Sequence, residues 1–365
     1  MSEMVRAMVQ TGPRQLELRE FPRPRTGPDD GLLRIEACGI CGSDVEQYRG
    51  HLGGGSDRPP SIPGHEPLGV IEEVGERAAA RWRVKPGDRV ALEIIVPCRT
   101  CDLCLMGRYQ SCRNRQGGYG VTPINRDPSL WGGFSEYVYL HPNAILHPMR
   151  KDIPADVAVM FNPLGAGVRW ACHLGGTQIG DTVLILGPGQ RGISAAIAAK
   201  TAGAATVIMT GLSKDSAKLE LAREFGVDHT INVDEENTVE RVKEITDGNL
   251  ADVVLELTPI ATQPVLDAVE CVRHSGRVVL AGLKGGKTVD LVTDRIINKG
   301  ATLVGAYGVD ARGYIEAIRI IESGRFPLEK LHTHTFELAE TARAIETLGG
   351  EVAGEQAVHV SISPS

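Results

Sequence analysis

The sequence lacks long hydrophobic segments and a targeting pattern at its start. No apolar run approaches the roughly 18 residues that a membrane-spanning helix requires. The first ten residues, MSEMVRAMVQ, do not follow the charged-then-apolar order of a signal peptide. These absences argue against a membrane protein and against secretion. We therefore expect a cytoplasmic location and no membrane partner.

An excess of positive charge is also missing. The 39 lysines and arginines are outnumbered by 46 aspartates and glutamates, which gives a formal net charge of -7, and no long basic run occurs. A surface that binds nucleic acid or an anionic membrane normally requires the opposite balance, so we expect no nucleic-acid partner. The sequence also lacks a fixed-period repeat, and its 365 residues fit two domains of ordinary size.

The cysteines that are present concentrate in one part of the chain. Six of the eight lie between Cys38 and Cys112, where a reducing compartment would keep them as thiols or metal ligands. Within residues 97–113, four follow the pattern C-x2-C-x2-C-x7-C: Cys98, Cys101, Cys104 and Cys112. Four thiolates complete the tetrahedral shell of zinc and leave no position for substrate, so the pattern predicts a structural zinc lobe. The thiolate count also leaves an iron–sulfur cluster open.

A second, sparser set of metal-ligand residues lies upstream. The segment ACGICGSD contains Cys41, Ser43 and Asp44, and the segment PGHEPLG contains His65 and Glu66. A catalytic zinc requires about three protein ligands and one open position, which a cysteine, a histidine and a carboxylate can provide. Taken singly, each residue could be buried or structural. Their combination with a nucleotide-binding domain favours a catalytic site.

Turn and strand signals divide the chain into segments of different character. Residues 1–158 are β-rich, with short apolar runs such as 89–96 and 132–140 between Pro/Gly turns. Over 159–308, apolar strands alternate with amphipathic helices, which predicts a parallel sheet covered on both faces. Residues 309–365 are expected to return to the first domain.

The strand TVLILG runs into a glycine-rich turn and then a helix. The turn reads G-x-G-x-x-G and contains Gly187, Gly189, Gln190, Arg191 and Gly192. In this context the backbone N–H groups and the positive end of the helix dipole can bind the pyrophosphate of a dinucleotide. We expect NAD or NADP to bind here. A glycine-rich turn in a non-binding α/β domain is the alternative.

Residues about 20 positions further along bear on the choice between these two cofactors. In NAD enzymes an Asp or Glu there binds the ribose 2′-OH. This sequence has Gly211, followed by Ser213 and Lys214, with Lys218 nearby. Because no carboxylate at this position opposes a 2′-phosphate, the pattern favours NADP. If Gly211 only turns the chain and Lys214 is a solvated surface charge, NAD remains open.

The order of these motifs resembles that of one enzyme family. The segments CGSD, GHE, the four-cysteine lobe, GGFSEY and G-x-G-x-x-G occur in the order of the zinc-dependent medium-chain dehydrogenases, which include the alcohol dehydrogenases. The resemblance covers essentially the whole chain and is strongest to the sorbitol and threonine dehydrogenase branch. It implies an α/β protein with a GroES-like, β-rich catalytic domain (1–158 and 309–365). A doubly wound Rossmann domain with a parallel sheet would occupy 159–308.

The resemblance also implies roles for individual residues. Cys41 and His65 would bind the catalytic zinc, and Glu66 is a direct ligand in some members of the family. Ser43 would lie beside the alcohol oxygen and pass its proton outward. Asp44 would fix the tautomer of His65.

Two residues depart from the family pattern. Asn162 stands where sorbitol-type enzymes have the glutamate of E-P-L and where other branches carry aspartate or cysteine as a zinc ligand. Because a neutral amide is a poor zinc ligand, we expect Cys41, His65 and Glu66 to hold the metal, with Asn162 a doubtful ligand. Glu46 stands where many members have the histidine that ends the proton relay. It could accept the proton or simply face solvent.

These observations together predict a zinc-dependent, NAD(P)-linked alcohol dehydrogenase. It would transfer hydride reversibly between a secondary alcohol or polyol and its ketone, with one catalytic and one structural zinc per chain. The resemblance implies a homodimer or homotetramer. Two alternatives remain: altered chemistry on the same fold, such as NADPH-dependent reduction of a conjugated C=C bond, or a non-catalytic nucleotide-binding protein.

Overall fold

The computed structural model describes residues 3–52 and 58–364 and divides the chain into two compact units. Unit 1 comprises Met1–Asn162, Ile318–Gly324 and Leu328–Ser365, and unit 2 comprises Pro163–Ala317 and Arg325–Pro327. Both major boundaries fall within helices rather than in flexible linkers.

Unit 1 is mainly β-structure. Its strands are β1 (Met4–Gly12), β2 (Gln15–Pro22), β3 (Gly31–Ile40), β4 (Glu66–Val74), β5 (Arg89–Leu92), β6 (Ile95–Val96), β7 (Gly117–Gly118), β8 (Tyr137–Leu140), β9 (Leu146–Pro148), β16 (His332–Glu337) and β17 (His359–Ser363). Its short helices are α1 (Gly42–Tyr48), α2 (Glu76–Trp82), α3 (Asp102–Leu105), α4 (Ala155–Ala158) and α12 (Thr341–Leu348), and α5 (Phe161–Val168) begins in it.

Most of these strands form one seven-stranded sheet. The order is β16-β17-β3-β4-β5-β9, and β8 also pairs with β3. All its pairs are antiparallel except β16 with β17. The long central strand β3 lies beside β4, which places the end of one strand next to the start of the other. Leu33, Ile71, Val90 and Phe134 are among the fully buried side chains of its core.

Two expected strands are shorter than the apolar pattern suggested. The run 89–96 is divided, because Glu93 leaves the ladder and its buried carboxylate bonds to the Nε2 of His147 at 2.7 Å and the hydroxyl of Tyr109 at 2.7 Å. The run 132–140 is a strand only from Tyr137 onward. The apolar runs in the sequence did not indicate either interruption.

Unit 2 alternates strands and helices. Its strands are β10 (Thr182–Leu186), β11 (Thr206–Gly211), β12 (His229–Asn232), β13 (Ala251–Glu256), β14 (Val272–Leu280) and β15 (Thr302–Gly305). Its helices are α6 (Gln190–Ala202), α7 (Ser216–Glu224), α8 (Thr238–Ile245), α9 (Gln263–Cys271) and α10 (Asp294–Lys299), with most of α5 and of α11 (Ala311–Glu322).

The six strands of unit 2 form a parallel sheet in the order β12-β11-β10-β13-β14-β15. The order reverses between β10 and β13, which creates the crevice in which doubly wound sheets bind ligands at the carboxyl ends of their strands. Leu184, Ile208 and Val254 of the central strands are fully buried, as expected for strands covered on both faces. This confirms the predicted α/β class and parallel sheet. No helix among the described residues is long and apolar enough to cross a membrane.

Candidate active site and nucleotide-binding turn

The first part of the candidate site is the start of helix α1. Cys41 is the N-cap residue, and its Sγ accepts a hydrogen bond from the backbone N–H of Ser43 at 3.4 Å. In return, the Asp44 carboxylate accepts the backbone N–H of Cys41 at 2.8 Å. These reciprocal bonds satisfy donors that a helix start leaves open. They also fix the position of the Cys41 sulfur relative to Asp44.

The second part is the start of strand β4. Glu66 is paired in register with Gly39 of β3, which brings this segment next to the end of β3 and the start of α1. A Cβ atom at Gly39 would lie 2.5 Å from Glu66 Oε2, so a side chain there would displace this carboxylate from its present position. Gly120 packs against the same segment, where its Cβ would lie 3.0 Å from the Cβ of His65.

These two segments bring three metal-ligand groups together. The Cys41 Sγ, a ring nitrogen of His65 and a carboxylate oxygen of Glu66 lie within 4.8 Å of one another. Cys41 and Glu66 are buried, and the His65 side chain is 13% exposed. The Ser43 hydroxyl lies 3.4 Å from His65 Nε2, at the edge of the cluster. Sulfur, imidazole and carboxylate donors are the ligands that a catalytic zinc takes in proteins.

The hydrogen bonds of His65 also suit a metal ligand. Its Nδ1 lies 3.0 Å from a carboxylate oxygen of Asp44, so Nδ1 carries the proton and Nε2 directs its lone pair towards the cluster. Burial alone would lower the pKa of His65, but the Asp44 carboxylate outweighs that effect and raises the pKa well above its ordinary value. A metal ion at Nε2 would therefore displace a proton from that nitrogen, while Nδ1 keeps its proton hydrogen-bonded to Asp44.

The two residues that depart from the family pattern lie in different surroundings. Asn162 is fully buried near the start of α5. Glu46 is mostly buried, and its carboxylate accepts hydrogen bonds from Arg49 at 2.9 Å and from the Nδ1 of His51 at 2.8 Å. From the sequence we expected Glu46 either to accept a proton or to face solvent, and its pairing with Arg49 and His51 was not predicted.

The four cysteines of the predicted lobe also converge. The Sγ–Sγ distances are 3.5 Å for Cys101–Cys104 and Cys98–Cys112, 3.8 Å for Cys101–Cys112, and 3.9 Å for Cys98–Cys104. A tetrahedral zinc with Zn–S bonds of about 2.3 Å requires sulfurs about 3.8 Å apart. The lobe therefore has the dimensions of a closed four-sulfur zinc site.

Hydrogen bonding already favours ionised sulfur in part of the lobe. Bonds from the backbone and hydroxyl of Thr100 and from the N–H of Cys101 lower the pKa of Cys98 to about 6. Burial and the neighbouring thiols raise the pKa of Cys104 to about 12. Four adjacent thiolates repel one another, so a dication is required to hold all four in the ionised form.

The nucleotide-binding turn of unit 2 has the geometry that its glycines predict. Gly187 has φ +115°, a left-handed value that favours glycine. A Cβ at Gly192 would lie 2.0 Å from the carbonyl oxygen of Gly187, so a side chain there would push the helix away from the turn. Beside Gly189 no atom lies within 4 Å of a Cβ position among the described residues. Helix α6 starts at Gln190, followed by Arg191, and thus directs its N–H groups towards this open side.

The residues predicted to select the cofactor lie at the end of β11. Gly211 ends that strand, and Ser213 and Lys214 lie in the single 3-10 turn that follows. The backbone N–H of Ser213 is held by the carboxylate of Asp234 at 2.8 Å, and Lys218 is held by Asp215 at 3.2 Å.

Three features of unit 2 were missed from the sequence. Arg223 lines a groove of about 170 Å³ together with Ser213 and Asn232. At the end of β13, fully buried Glu256 accepts a hydrogen bond from Lys284 at 2.8 Å. The same lysine donates a hydrogen bond to the carbonyl oxygen of Thr258 at 2.6 Å. Thr258 in turn packs against Gly187 of the glycine-rich turn. No sequence motif joins these residues, because tertiary contacts bring them together.

Known proteins match this chain over its length. The alcohol dehydrogenase GroES-like domain family matches residues 27–151, and the zinc-binding dehydrogenase family matches residues 192–323. A Mycobacterium tuberculosis protein named "Probable alcohol dehydrogenase adh" is 41% identical over 366 residues, which cover 99% of each chain. The chain belongs to the zinc-dependent medium-chain dehydrogenase family. It is therefore an oxidoreductase of the zinc-dependent alcohol dehydrogenase type, which confirms the family and the enzyme class predicted from the sequence.

Other members of the medium-chain dehydrogenase family are similar over the same length. The erythritol/L-threitol dehydrogenase of Mycolicibacterium smegmatis is 34% identical over 373 residues, which cover 100% of this chain and 98% of that protein. A solved structure from Sinorhizobium meliloti with NADP bound has a TM-score of 0.87 and 25% identity, and the match covers 100% of both chains. These matches confirm the GroES-like and Rossmann folds, and they support zinc and a nicotinamide cofactor.

Proposed function

We propose that this enzyme transfers hydride reversibly between a secondary alcohol or polyol and the corresponding ketone. The observation that supports this reaction is the buried cluster of Cys41, His65 and Glu66 with the Ser43 hydroxyl at its edge. When bound, zinc would supply a Lewis acid for the substrate oxygen, and the nicotinamide would accept or supply the hydride.

The residues of the chain would have separate tasks in this reaction. Cys41, His65 and Glu66 would hold the metal. The Ser43 hydroxyl would accept the proton that leaves the alcohol and pass it outward. Asp44 would keep the proton of His65 on Nδ1, so that Nε2 remains available as a ligand.

A route for the proton beyond Ser43 is supported by the surroundings of Glu46. Its carboxylate holds His51, whose side chain is 57% exposed, as well as Arg49. We therefore propose that Glu46 orients His51 and that His51 exchanges the proton with solvent. Replacing His51 by glutamine should lower the rate of alcohol oxidation, and added imidazole should restore part of it.

We propose NADP as the preferred cofactor. Gly211 has no carboxylate to meet the ribose 2′-hydroxyl, and the cations of Lys214 and Arg223 lie on the segments that follow it. The Asp215 charge is matched by Lys218. Fluorescence titration with NADPH and NADH measures this preference directly. An alanine at Lys214 or Arg223 should weaken NADPH binding and leave NADH binding unchanged, whereas a wild-type enzyme that binds NADH more tightly would contradict the proposal.

We also propose that each chain binds two zinc ions and that the enzyme is a homodimer or homotetramer. The assembly is supported by unit 2, whose edge strand β15 leaves one side of its ladder unpaired within the described residues. Exposed apolar side chains occur nearby in the sequence: Leu283, Val292, Ile297 and Tyr307. Exposed edges and apolar patches of this kind are common at subunit interfaces. Light scattering would measure the assembly, and elemental analysis would measure the zinc content.

The experiment that tests the reaction is an absorbance screen with both nicotinamide cofactors. Secondary alcohols and polyols would be tested in the oxidative direction, and ketones and conjugated enones in the reductive direction. Turnover of alcohols and ketones that depends on bound zinc is expected. Reduction of the enone double bond alone would support the alternative chemistry on the same fold.

A further inference from the structure

Arg58 is a charged residue close to the candidate active site to which the reaction as described gives no task. Its side chain is half-buried in the segment between helix α1 and strand β4. One guanidinium nitrogen, Nη2, donates a long hydrogen bond of 3.4 Å to the carbonyl oxygen of Gly120. Gly120 itself packs against His65, with 3.0 Å between its Cβ position and the Cβ of His65. The guanidinium is therefore separated from a proposed zinc ligand by a single residue.

The charge of Arg58 is poorly matched by its surroundings. Among the described residues, no carboxylate lies within the 4 Å that defines an ion pair with it. Two other arginines of unit 1 are paired: buried Arg89 bonds Glu36 at 2.6 Å, and partly buried Arg49 bonds Glu46 and Glu351. Burial lowers the pKa of Arg58, and the charge of Asp44 only partly offsets this.

Asp44 attracts the charge of Arg58 but forms no ion pair with it in this structure. Its two carboxylate oxygens already accept hydrogen bonds from the Cys41 backbone and from His65 Nδ1. A guanidinium that is partly removed from water gains most from an anion that can accept two of its N–H groups. Among residues 3–52 and 58–364 no carboxylate is paired with Arg58, so an anionic group of the substrate would find this guanidinium available.

We propose that Arg58 binds an anionic group of the substrate, so that the substrate is an alcohol that also carries a carboxylate or phosphate. This inference rests on the proposed reaction and narrows its substrate class. In oxidation the carbinol C–H bond would break, its hydrogen leaving as hydride to the nicotinamide, while the hydroxyl proton leaves through Ser43 and a ketone forms. The anionic group would remain unchanged and would orient the alcohol.

The wild-type enzyme can test this with matched substrates. 3-Hydroxybutyrate and 3-hydroxybutyramide have the same carbon skeleton, but only the first is an anion. Glycerol 3-phosphate and glycerol form the second pair, so the two arms separate a carboxylate from a phosphate. The anionic member of at least one pair is expected to have the higher kcat/KM by about 10- to 100-fold. Equal or lower kcat/KM for the anion in both pairs would overturn the inference while leaving the proposed alcohol dehydrogenase activity intact.

A binding experiment covers the case in which neither pair contains a good substrate. Butyrate and butyramide would be tested as competitive inhibitors of whichever alcohol the screen identifies. Butyrate or inorganic phosphate is expected to inhibit more strongly than butyramide, and equal inhibition by all three contradicts the role of Arg58. If no alcohol or ketone reacts at all, it is the proposed function that fails.

Variants of Arg58 distinguish substrate binding from a general electrostatic role. Arg58→Gln should raise KM for the preferred anion by about 10- to 100-fold, leave the neutral partner unchanged and keep the wild-type zinc content. Arg58→Lys should restore part of the loss. Arg83→Gln removes the same charge from an exposed site in unit 1 and should have no effect. If Arg58→Gln instead lowers turnover of anionic and neutral substrates equally, or releases zinc, Arg58 balances the charge of the metal ligands and the inference is wrong.

Discussion

The four-cysteine lobe and the Cys41 cluster lie in the same unit but are built in opposite ways. The lobe takes all its donor groups from one short segment, Cys98 to Cys112, and three of its four cysteines are partly exposed. The Cys41 cluster takes its donors from the start of α1 and the start of β4, which the β3–β4 ladder brings together, and it is largely buried. The first arrangement has enough donors to saturate a tetrahedral metal ion. The second, with three donors, would leave a position for a ligand.

This difference determines what supports each site. The lobe is held by hydrogen bonds from its own backbone to sulfur, such as Cys98 N–H to Cys112 at 3.3 Å and Cys101 N–H to Cys98 at 3.3 Å. The Cys41 cluster depends on residues outside the ligand set, above all Asp44. A closed site can therefore stabilise a loop by itself, whereas an open site requires neighbouring groups to orient its ligands.

The largest effect is expected from removing a donor of the open site. Cys41→Ala should lower kcat/KM by about 10³-fold or more, because several kcal/mol of stabilisation at the substrate oxygen are lost with the metal. Zinc analysis should show the loss of one ion with the lobe ion retained. Cys172→Ala is the matched control in unit 2, where burial raises the pKa of the thiol to about 11. It should change neither kcat/KM nor the zinc content. A Cys41→Ala enzyme with wild-type turnover would contradict the proposed mechanism.

Removing a ligand of the four-cysteine lobe should lower the stability of the protein more than its turnover. Cys104→Ser should release the other zinc and lower Tm by about 5 °C or more, because metal binding and local folding are coupled in such lobes. The Cys41 cluster should keep its ion, and the protein that remains folded should keep a measurable turnover. Calorimetry with zinc analysis checks this. Loss of both ions together would show that the two sites are not independent.

The sequence indicated the two candidate sites with unequal clarity, because their ligands are spaced differently along the chain. The lobe ligands are neighbours in the chain, so their spacing alone indicated the site. For the Cys41 cluster, spacing in the sequence gave only candidate ligands. Cys41 and Glu66 are brought together by the pairing of β3 with β4, which the spacing does not reveal. Arg58 belongs to no motif, because it reaches the neighbourhood of His65 only through Gly120, a residue far along the chain.

The fold shows the same limit. Continuous apolar runs predicted the parallel sheet of unit 2, since both faces of those strands are buried. In unit 1 the run 89–96 failed as one strand because a buried carboxylate, Glu93, has partners on other segments. Helix α10 was not predicted; it is short, and none of its residues is buried. Elements whose pattern is local in the chain could be predicted from the sequence. Features that depend on a residue distant in the chain could not.

An intermediate effect is expected when the support of the open site is weakened without removing a ligand. Asp44→Asn keeps the size of the side chain but removes the charge that holds the Nδ1 proton of His65. Zinc affinity of the Cys41 cluster or kcat should fall by about 10- to 100-fold, while the lobe is unaffected. Competition with a chromophoric chelator measures the affinity of each site. Equal weakening of both sites would indicate general destabilisation instead.

The smallest effect is expected at Asn162, whose role decides how many protein ligands the open site has. If Cys41, His65 and Glu66 are sufficient, Asn162→Ala should keep the zinc content and lower kcat/KM by less than about tenfold, the cost of losing one hydrogen bond. Asn162→Asp offers a carboxylate of the same size and should raise the zinc affinity only if the side chain reaches the metal. Zinc analysis and stopped-flow turnover check both variants. Loss of the catalytic zinc from a folded Asn162→Ala protein would show that Asn162 is a ligand. The Cys41 cluster would then have four protein ligands, as the four-cysteine lobe has.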